Sequence, residues 1–163
     1  MIGKIRIGIG YDIHNLVVGR DLIIGGIAIP HDKGLDGHSD ADVLIHALID
    51  AILGAMAAGD IGEYFSDTDL KWKDVDSARM LEMVMKLTAE EGFEILNFDC
   101  IVVLEDPKMS PYKAAIRRRL SELTGVDTSR ISIKAKTNEK NDAVGRGDAI
   151  AAHVAVLLLA GAK

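Results

Sequence analysis

Hydrophobic and polar positions alternate from Lys4 to Gly10, with Ile5, Ile7 and Ile9 on one side and Lys4, Arg6 and Gly8 on the other. A period of two predicts a β-strand. Residues 22–29 predict two short strands about a Gly25-Gly26 turn, and residues 30–37 a polar loop. The period then changes. Val43, Leu44, Leu48, Ala51, Ile52 and Ala55 recur at helical spacing. Ser39, with Asp42 three residues on, has the form of a capping box, so a helix is expected from Ser39 to about residue 58. Residues 59–73 form a loop rich in Gly and Asp. A second helix over 75–91 turns Met80, Leu81, Val84 and Leu87 inward, and a strand follows over 95–104. Ser110-Pro111 reads as an N-cap with Pro at the first helical position, opening a helix that runs to about residue 123. Residues 131–135 predict another strand. Gly145-Arg146-Gly147 then leads into a last helix over 148–159. With no repeat and no linker, residues 1–163 are expected to form one α+β domain.

The chain has 163 residues, enough to bury a core without disulfides. Hydrophobic residues make up 48% and aromatics only 4%, so that core is built from Val, Ile, Leu, Met and Ala. Cys100, the single cysteine, sits in an apolar run and is expected in the core, which fits a reducing compartment. A net charge of −6 without a basic stripe argues against binding a nucleic-acid backbone. A chain of this charge that handles anions must gather its cations locally or use metal ions. Residues 1–4 enter the strand pattern without the charged and apolar regions of a signal peptide. The most apolar stretch, residues 149–160, is far shorter than the ~20 residues of a membrane span. A cytoplasmic protein without membrane association is the expectation.

Residues i and i+2 of a strand share a face. If the first strand continues past Gly10, Asp12 and His14 project together, and a helix packed on it can bring His46 to the same point. One carboxylate and two imidazoles suit zinc and leave a fourth position open, as in catalytic zinc sites. The spacing alone also allows a zinc that only staples the fold, or histidines that hold no metal. His153 is expected to pack inside the last helix, and His31 to lie on a loop surface.

Further segments suit a polyanionic substrate. Gly59-Asp60-Ile61-Gly62 lets a ligand approach the backbone, with Asp60 able to accept from sugar hydroxyls. Lys108, in Glu105-Asp106-Pro107-Lys108-Met109, and Thr137 are candidate phosphate contacts, and Glu139 offers a hard oxygen to Mg²⁺ or Mn²⁺. Gly145-Arg146-Gly147 before a helix predicts an anion site. A Walker A loop, a complete dinucleotide-binding fingerprint and a Gly-x-Ser-x-Gly elbow are absent.

Taken together, these segments resemble the 2-C-methyl-D-erythritol 2,4-cyclodiphosphate synthase family of the non-mevalonate isoprenoid pathway. The resemblance is carried by Gly8-x-Gly10-Tyr11-Asp12-x-His14, Ile24-Gly25-Gly26, His38-Ser39-Asp40-x-Asp42-Val43 and the helix with His46. It continues through Gly59-Asp60-Ile61-Gly62, Phe65-Ser66-Asp67-Thr68-Asp69, Pro107-Lys108-Met109, Thr137-x-Glu139-Lys140 and Gly145-Arg146-Gly147, and covers nearly the whole chain.

The resemblance implies an α+β sandwich with a mostly four-stranded mixed sheet packed on helices. It also implies a homotrimer whose sheets face the three-fold axis and whose active sites lie between subunits. The implied reaction converts 4-diphosphocytidyl-2-C-methyl-D-erythritol 2-phosphate to the 2,4-cyclodiphosphate and CMP, a phosphorus–oxygen lyase activity. Asp12, His14 and His46 would hold zinc, and Glu139 a second ion, Mg²⁺ or Mn²⁺. His38 and Thr137 are the implied catalytic stabilisers of phosphate, with Ser39 alongside. Asp60, Ile61 and Gly62 resemble the methylerythritol-binding segment, and Asp69 a further substrate contact. Leu104, Asp106, Pro107, Lys108, Met109, Ala135 and Lys136 resemble the cytidine and phosphate pocket. Ala143 and Arg146 border the substrate, and Arg146 would also face an axial cavity suited to a diphosphate or isoprenoid anion. The chain departs from the family pattern at Ala143, where a bulky aromatic is common, at Asp148, where Glu is usual, and at Lys136, where Thr is common.

Overall fold

The alternation that starts at Ile5 does not stop at Gly10. It continues through Val18 as one long strand, β1 (Ile5–Val18), in the computed structural model, which describes residues 4–66 and 68–161. Asp67 of the Phe65–Asp69 motif therefore lies outside the described residues. The remaining elements are β2 (Leu22–Ile24), β3 (Ile27–Ile29), β4 (Lys33–Leu35), α1 (Val43–Met56), α2 (Ile61–Tyr64), α3 (Ser77–Glu90), β5 (Phe93–Val103), α4 (Lys113–Thr124), β6 (Ile131–Lys136), α5 (Asp142–Gly145) and β7 (Ala149–Ala160). The main sheet has the order β4-β1-β7-β5-β6, and β2 with β3 forms a separate hairpin. β7 lies antiparallel between β1 and β5, while β5 and β6 run parallel, so the sheet is mixed. Helices cover one face. The fold is thus the α+β sheet-on-helix sandwich expected, with the short β4 added at the edge inside the segment read as a loop.

The largest departure from the sequence reading is residues 148–159, expected as a helix, where the central strand β7 (Ala149–Ala160) is found. Ala favours helices locally, but pairing on both edges overrides that preference. Small side chains on β7 also let α1 pack closely on its inner face. His153 is consequently an exposed residue of the open sheet face, its ring tilted against Tyr11 with centroids 4.8 Å apart, and not a core residue. Gly145-Arg146-Gly147 closes the short α5 and leads into β7, so no helix N-terminus is available there to bind an anion. Ser39 does not cap α1; Asp42 does. Tyr112 occupies the N-cap position of α4, two residues beyond Ser110. The 59–73 loop contains α2 and a 3₁₀ turn at Leu70–Trp72.

The two faces of β1 are used in an unexpected sense. Ile5, Ile7, Ile9, Tyr11 and Ile13 point away from the helices and remain exposed. Gly8, Gly10, Asp12 and His14 point toward α1. An added Cβ at Gly8 would lie 1.9 Å from the Ala51 carbonyl oxygen, so helix and strand are nearly in backbone contact. Among the described residues no helix is long and apolar enough to cross a membrane.

Candidate metal centre and cleft

α1 is fixed in two ways. Its backbone rests on the glycines of β1, and its first turn is tied to the β2–β3 hairpin through Asp42. The fully buried Asp42 carboxylate accepts from Leu44 and Ile45 N–H at 3.1 and 3.0 Å, capping the helix. It also accepts from Gly25 and Gly26 N–H, at 2.9 and 2.6 Å, in the hairpin turn. Both glycines have positive φ (61° and 71°), which suits the turn to residues without a side chain. His46 follows one turn later and points at β1.

Asp12, His14 and His46 converge. Asp12 Oδ2 lies 2.9 Å from His14 Nε2 and 3.1 Å from His46 Nδ1, and the two nitrogens are 3.2 Å apart. Donors around a tetrahedral zinc at about 2.0–2.1 Å are separated by about 3.3 Å, so this triangle has the size a zinc requires. The donor set fits as well. His14 Nδ1–H donates to the Asp36 carbonyl at 2.8 Å, which leaves the Nε2 lone pair facing the triangle. Three electron-rich atoms at this spacing can hold one cation among them.

The electrostatics agree with a cation site. Burial alone would raise the Asp12 carboxyl, but hydrogen bonds and charge from His14 and His46 outweigh it and hold the group at about 2. Burial alone would lower His14, but the Asp12 hydrogen bond and charge, with the Asp36 carbonyl, raise it above its ordinary value.

The triangle forms the floor of a cleft of about 460 Å³. His38 and Ser39 form one wall and Ile61 and Gly62 another. Among the described residues His38 Nε2, buried there, has no hydrogen-bond partner. Ser39 Oγ lies 3.2 Å from His46 Nε2. Asp60 is spent partly on capping α2, accepting from Glu63 N–H at 3.1 Å. Phe65, Trp72 and Met80 add an apolar end that the sequence reading did not assign to the site. Phe65 and Trp72 meet edge to face at 4.8 Å. The available signal was scarcity: this is the chain's only Trp, in a sequence with 4% aromatics. Asp69 caps the 3₁₀ turn and pairs with Lys71 at 2.9 Å, and is not a lining residue of the cleft.

The other expected site residues gather elsewhere. Leu104, Asp106, Pro107, Lys108, Met109, Ala135, Lys136, Thr137, Glu139, Ala143 and Arg146 belong to the ends of β5 and β6 and the segment before β7. Leu104 N–H donates to the Lys136 carbonyl at 2.9 Å, and Asn138 N–H to the Glu105 carboxylate at 2.8 Å, which ties the two strand ends together. Thr137 Oγ1 donates to Glu139 Oε1 at 2.9 Å. Leu104 and Met109 are buried. Asp106 meets His31 Nε2 at 3.3 Å, so His31 is engaged and not a free loop residue. Arg146 Nε donates to Asp148 at 3.1 Å. Asp12, Ala152, Val102 and Ala135 form one row across the sheet. At a strand spacing of about 4.8 Å, Ala135 is about 14 Å from Asp12. Within one chain, then, the metal cleft and the Thr137–Glu139 group lie apart.

Residues 5–159 match the YgbB family. A 2-C-methyl-D-erythritol 2,4-cyclodiphosphate synthase of Nitrosomonas eutropha is 51% identical over 155 residues, 95% of this chain and 93% of that protein. The protein of the same name from Synechococcus sp. (strain JA-2-3B'a(2-13)) is 54% identical over 154 residues, 94% of this chain and 98% of its own length. A solved 2C-methyl-D-erythritol-2,4-cyclodiphosphate synthase in a CDP-bound form superposes with a TM-score of 0.87 at 38% identity, covering 94% of this chain and 99% of that one. With its fold, its Asp/His/His cluster and these relatives, the chain belongs to the YgbB family of 2-C-methyl-D-erythritol 2,4-cyclodiphosphate synthases.

Proposed function

We propose that this chain is a phosphorus–oxygen lyase that converts 4-diphosphocytidyl-2-C-methyl-D-erythritol 2-phosphate to 2-C-methyl-D-erythritol 2,4-cyclodiphosphate and CMP. The observation that carries the reading is the zinc-sized Asp12–His14–His46 triangle on the floor of a cleft walled by His38, Ser39, Ile61 and Gly62. An oxygen of the 2-phosphate attacks the β-phosphorus. The bond from that phosphorus to the bridging oxygen breaks, and CMP departs with the electron pair. No side chain forms a covalent intermediate, so the protein's contribution is positioning and charge neutralisation.

Asp12, His14 and His46 would hold zinc. Bound there, zinc supplies Lewis-acid polarisation of the diphosphate. His38, whose Nε2 has no hydrogen-bond partner among the described residues, hydrogen-bonds a phosphate oxygen as charge develops. Ser39 lies alongside it, and Asp60, Ile61 and Gly62 receive the methylerythritol. Thr137 and Glu139 act from the second half-site, where Glu139 would hold a Mg²⁺ or Mn²⁺ that supplies charge neutralisation, and Leu104, Asp106, Pro107, Lys108, Met109, Ala135 and Lys136 hold the cytidylyl end. A homotrimer joins the metal cleft of one copy to the Thr137 half-site of the next. The separation of the two half-sites within one chain and the exposed apolar row of β1 support that assembly.

The test is incubation of the zinc-loaded, trimeric protein with the cytidylyl substrate and Mg²⁺, followed by phosphorus NMR. CMP and the cyclic diphosphate are expected. Absence of both overturns the reading. His46→Ala is expected to lose zinc and turnover together.

A further inference from the structure

We propose that Asp40 and Ser77 act in series as positioning residues that aim His46 at the metal, so that a side chain of α3 helps to set metal affinity. The inference rests on the metal reading above. Ser77, the first residue of α3, is fully buried, and its Oγ lies 2.9 Å from His46 Nε2. The same hydroxyl is hydrogen-bonded to Asp40 Oδ1, and Ser77 N–H donates to Asp40 Oδ2 at 3.1 Å. An ionised carboxylate only accepts hydrogen bonds. The Ser77 O–H is therefore committed to Asp40, and its lone pair accepts from His46 Nε2–H. In the metal-bound form the proton that His46 Nδ1 otherwise shares with Asp12 gives way, and an imidazole with its proton on Nε2 presents a bare lone pair on Nδ1. That is the nitrogen facing Asp12 and His14 in the triangle.

Ser39 Oγ is the other group near His46 Nε2, at 3.2 Å, and it accepts from Ala41 N–H at 3.1 Å. It is the more distant acceptor and has no carboxylate partner of its own in this network. The chain Asp40–Ser77–His46 thus has the form of an outer-shell carboxylate acting on a metal-bound histidine through one hydroxyl, and it orients the ring and increases its basicity. His14 is held by a different element, the Asp36 carbonyl. The two rings of the triangle are therefore aimed independently, one from the β4–α1 connection and one from α3.

The test measures Zn²⁺ affinity of the full chain by chelator competition, the visible absorption of the Co²⁺-loaded protein, and melting of the metal-free protein. Ser77→Ala is expected to weaken zinc binding about 10–100-fold and to shift the Co²⁺ band, with the metal-free protein still folded. Asp40→Asn keeps an oxygen for Ser77 N–H but no longer demands the serine proton, and is expected to weaken zinc about tenfold. Added to Ser77→Ala, it should weaken binding no further, because both break the same chain. Zinc affinity within twofold of the parent in Ser77→Ala, or fully additive losses in the double variant, overturns the proposal. If Ser77→Ala does not fold, Asp40→Asn decides: a tenfold loss supports the series and unchanged affinity overturns it. A protein that shows the Ser77 effect on zinc but makes no cyclic diphosphate loses the activity reading and keeps this one. An active enzyme whose zinc affinity ignores Ser77 does the reverse.

Discussion

A Cβ on Gly10 would lie 1.9 Å from the Ala47 carbonyl oxygen and 2.8 Å from the Ala51 nitrogen. Ala47 adjoins His46, and Gly10 lies two residues before Asp12, so this backbone contact sets the distance across the metal triangle. Gly10→Ala must push α1 away from β1, since both contacts are with helix backbone and no flexible side chain can yield. The expected cost is about 2–3 kcal/mol, typical of overpacking where nothing can move aside. Zinc stoichiometry should fall with it, because the donor atoms separate. Thermal melting and metal analysis of the purified variant check both; a folded variant with full zinc would show that α1 has slack that the geometry denies.

The pH dependence of metal binding follows from His14. Zinc needs the neutral imidazole, and the Asp12 contact raises the His14 value above 6.5. Protons therefore compete with metal at pH values where an unperturbed histidine would already be free. Zinc affinity should level off only above the raised value, and fall at least about tenfold per pH unit below it. Asp12, held at about 2, remains ionised throughout that range. Chelator competition across about pH 5–8, the histidine range, measures the profile. A break below 6.5 would contradict the assigned coupling of His14 to Asp12.

Much of this was legible in the sequence because it depends on parity and period. Asp12 and His14 share a face by strand alternation, and His46 falls on the helix that follows. What local pattern did not contain was the neighbour. Residues 149–160 are rich in Ala and Leu, and only the strands on either side make them β7. The alternation was present from Ala152 to Leu158, with His153 and Ala155 outward, but weakened by small residues on both faces. The Asp42 cap was displaced from the expected Ser39 because its carboxylate serves two elements at once, and the hairpin amides are distant in sequence. Phe65 and Trp72 reach the cleft, and Ser77 reaches His46 behind it, through tertiary contacts that no spacing announces.

Asp42 gives a stability prediction separate from the metal. Asp42→Ala strips the cap from α1 and orphans the Gly25 and Gly26 amides of the hairpin turn. Losing a cap costs about 1–2 kcal/mol, and buried amides left without an acceptor add about as much again. A loss of about 3 kcal/mol is expected by denaturant unfolding of the metal-free protein. A loss under about 1 kcal/mol would mean that water replaces the carboxylate at the hairpin.

The open face of the sheet supplies the test of assembly. Ile7 and Ile9 are 71% and 78% exposed, in a row with Ile5, Tyr11 and Ile13. A lysine at Ile9 costs the isolated chain little, since the position already faces water, but burying it against a second copy would strand a charge in an apolar interface. Ile9→Lys should therefore sediment as a monomer. It should still bind zinc, because Asp12, His14 and His46 come from one chain and point to the opposite side of β1. It should lose cyclisation, because Ala135, on the strand that leads to Thr137 and Glu139 of the same chain, already lies about 14 Å across the sheet from Asp12. Sedimentation, metal analysis and phosphorus NMR on one preparation separate the three properties. A monomer with full turnover would show that one chain completes its own site, and would refute the shared-site arrangement.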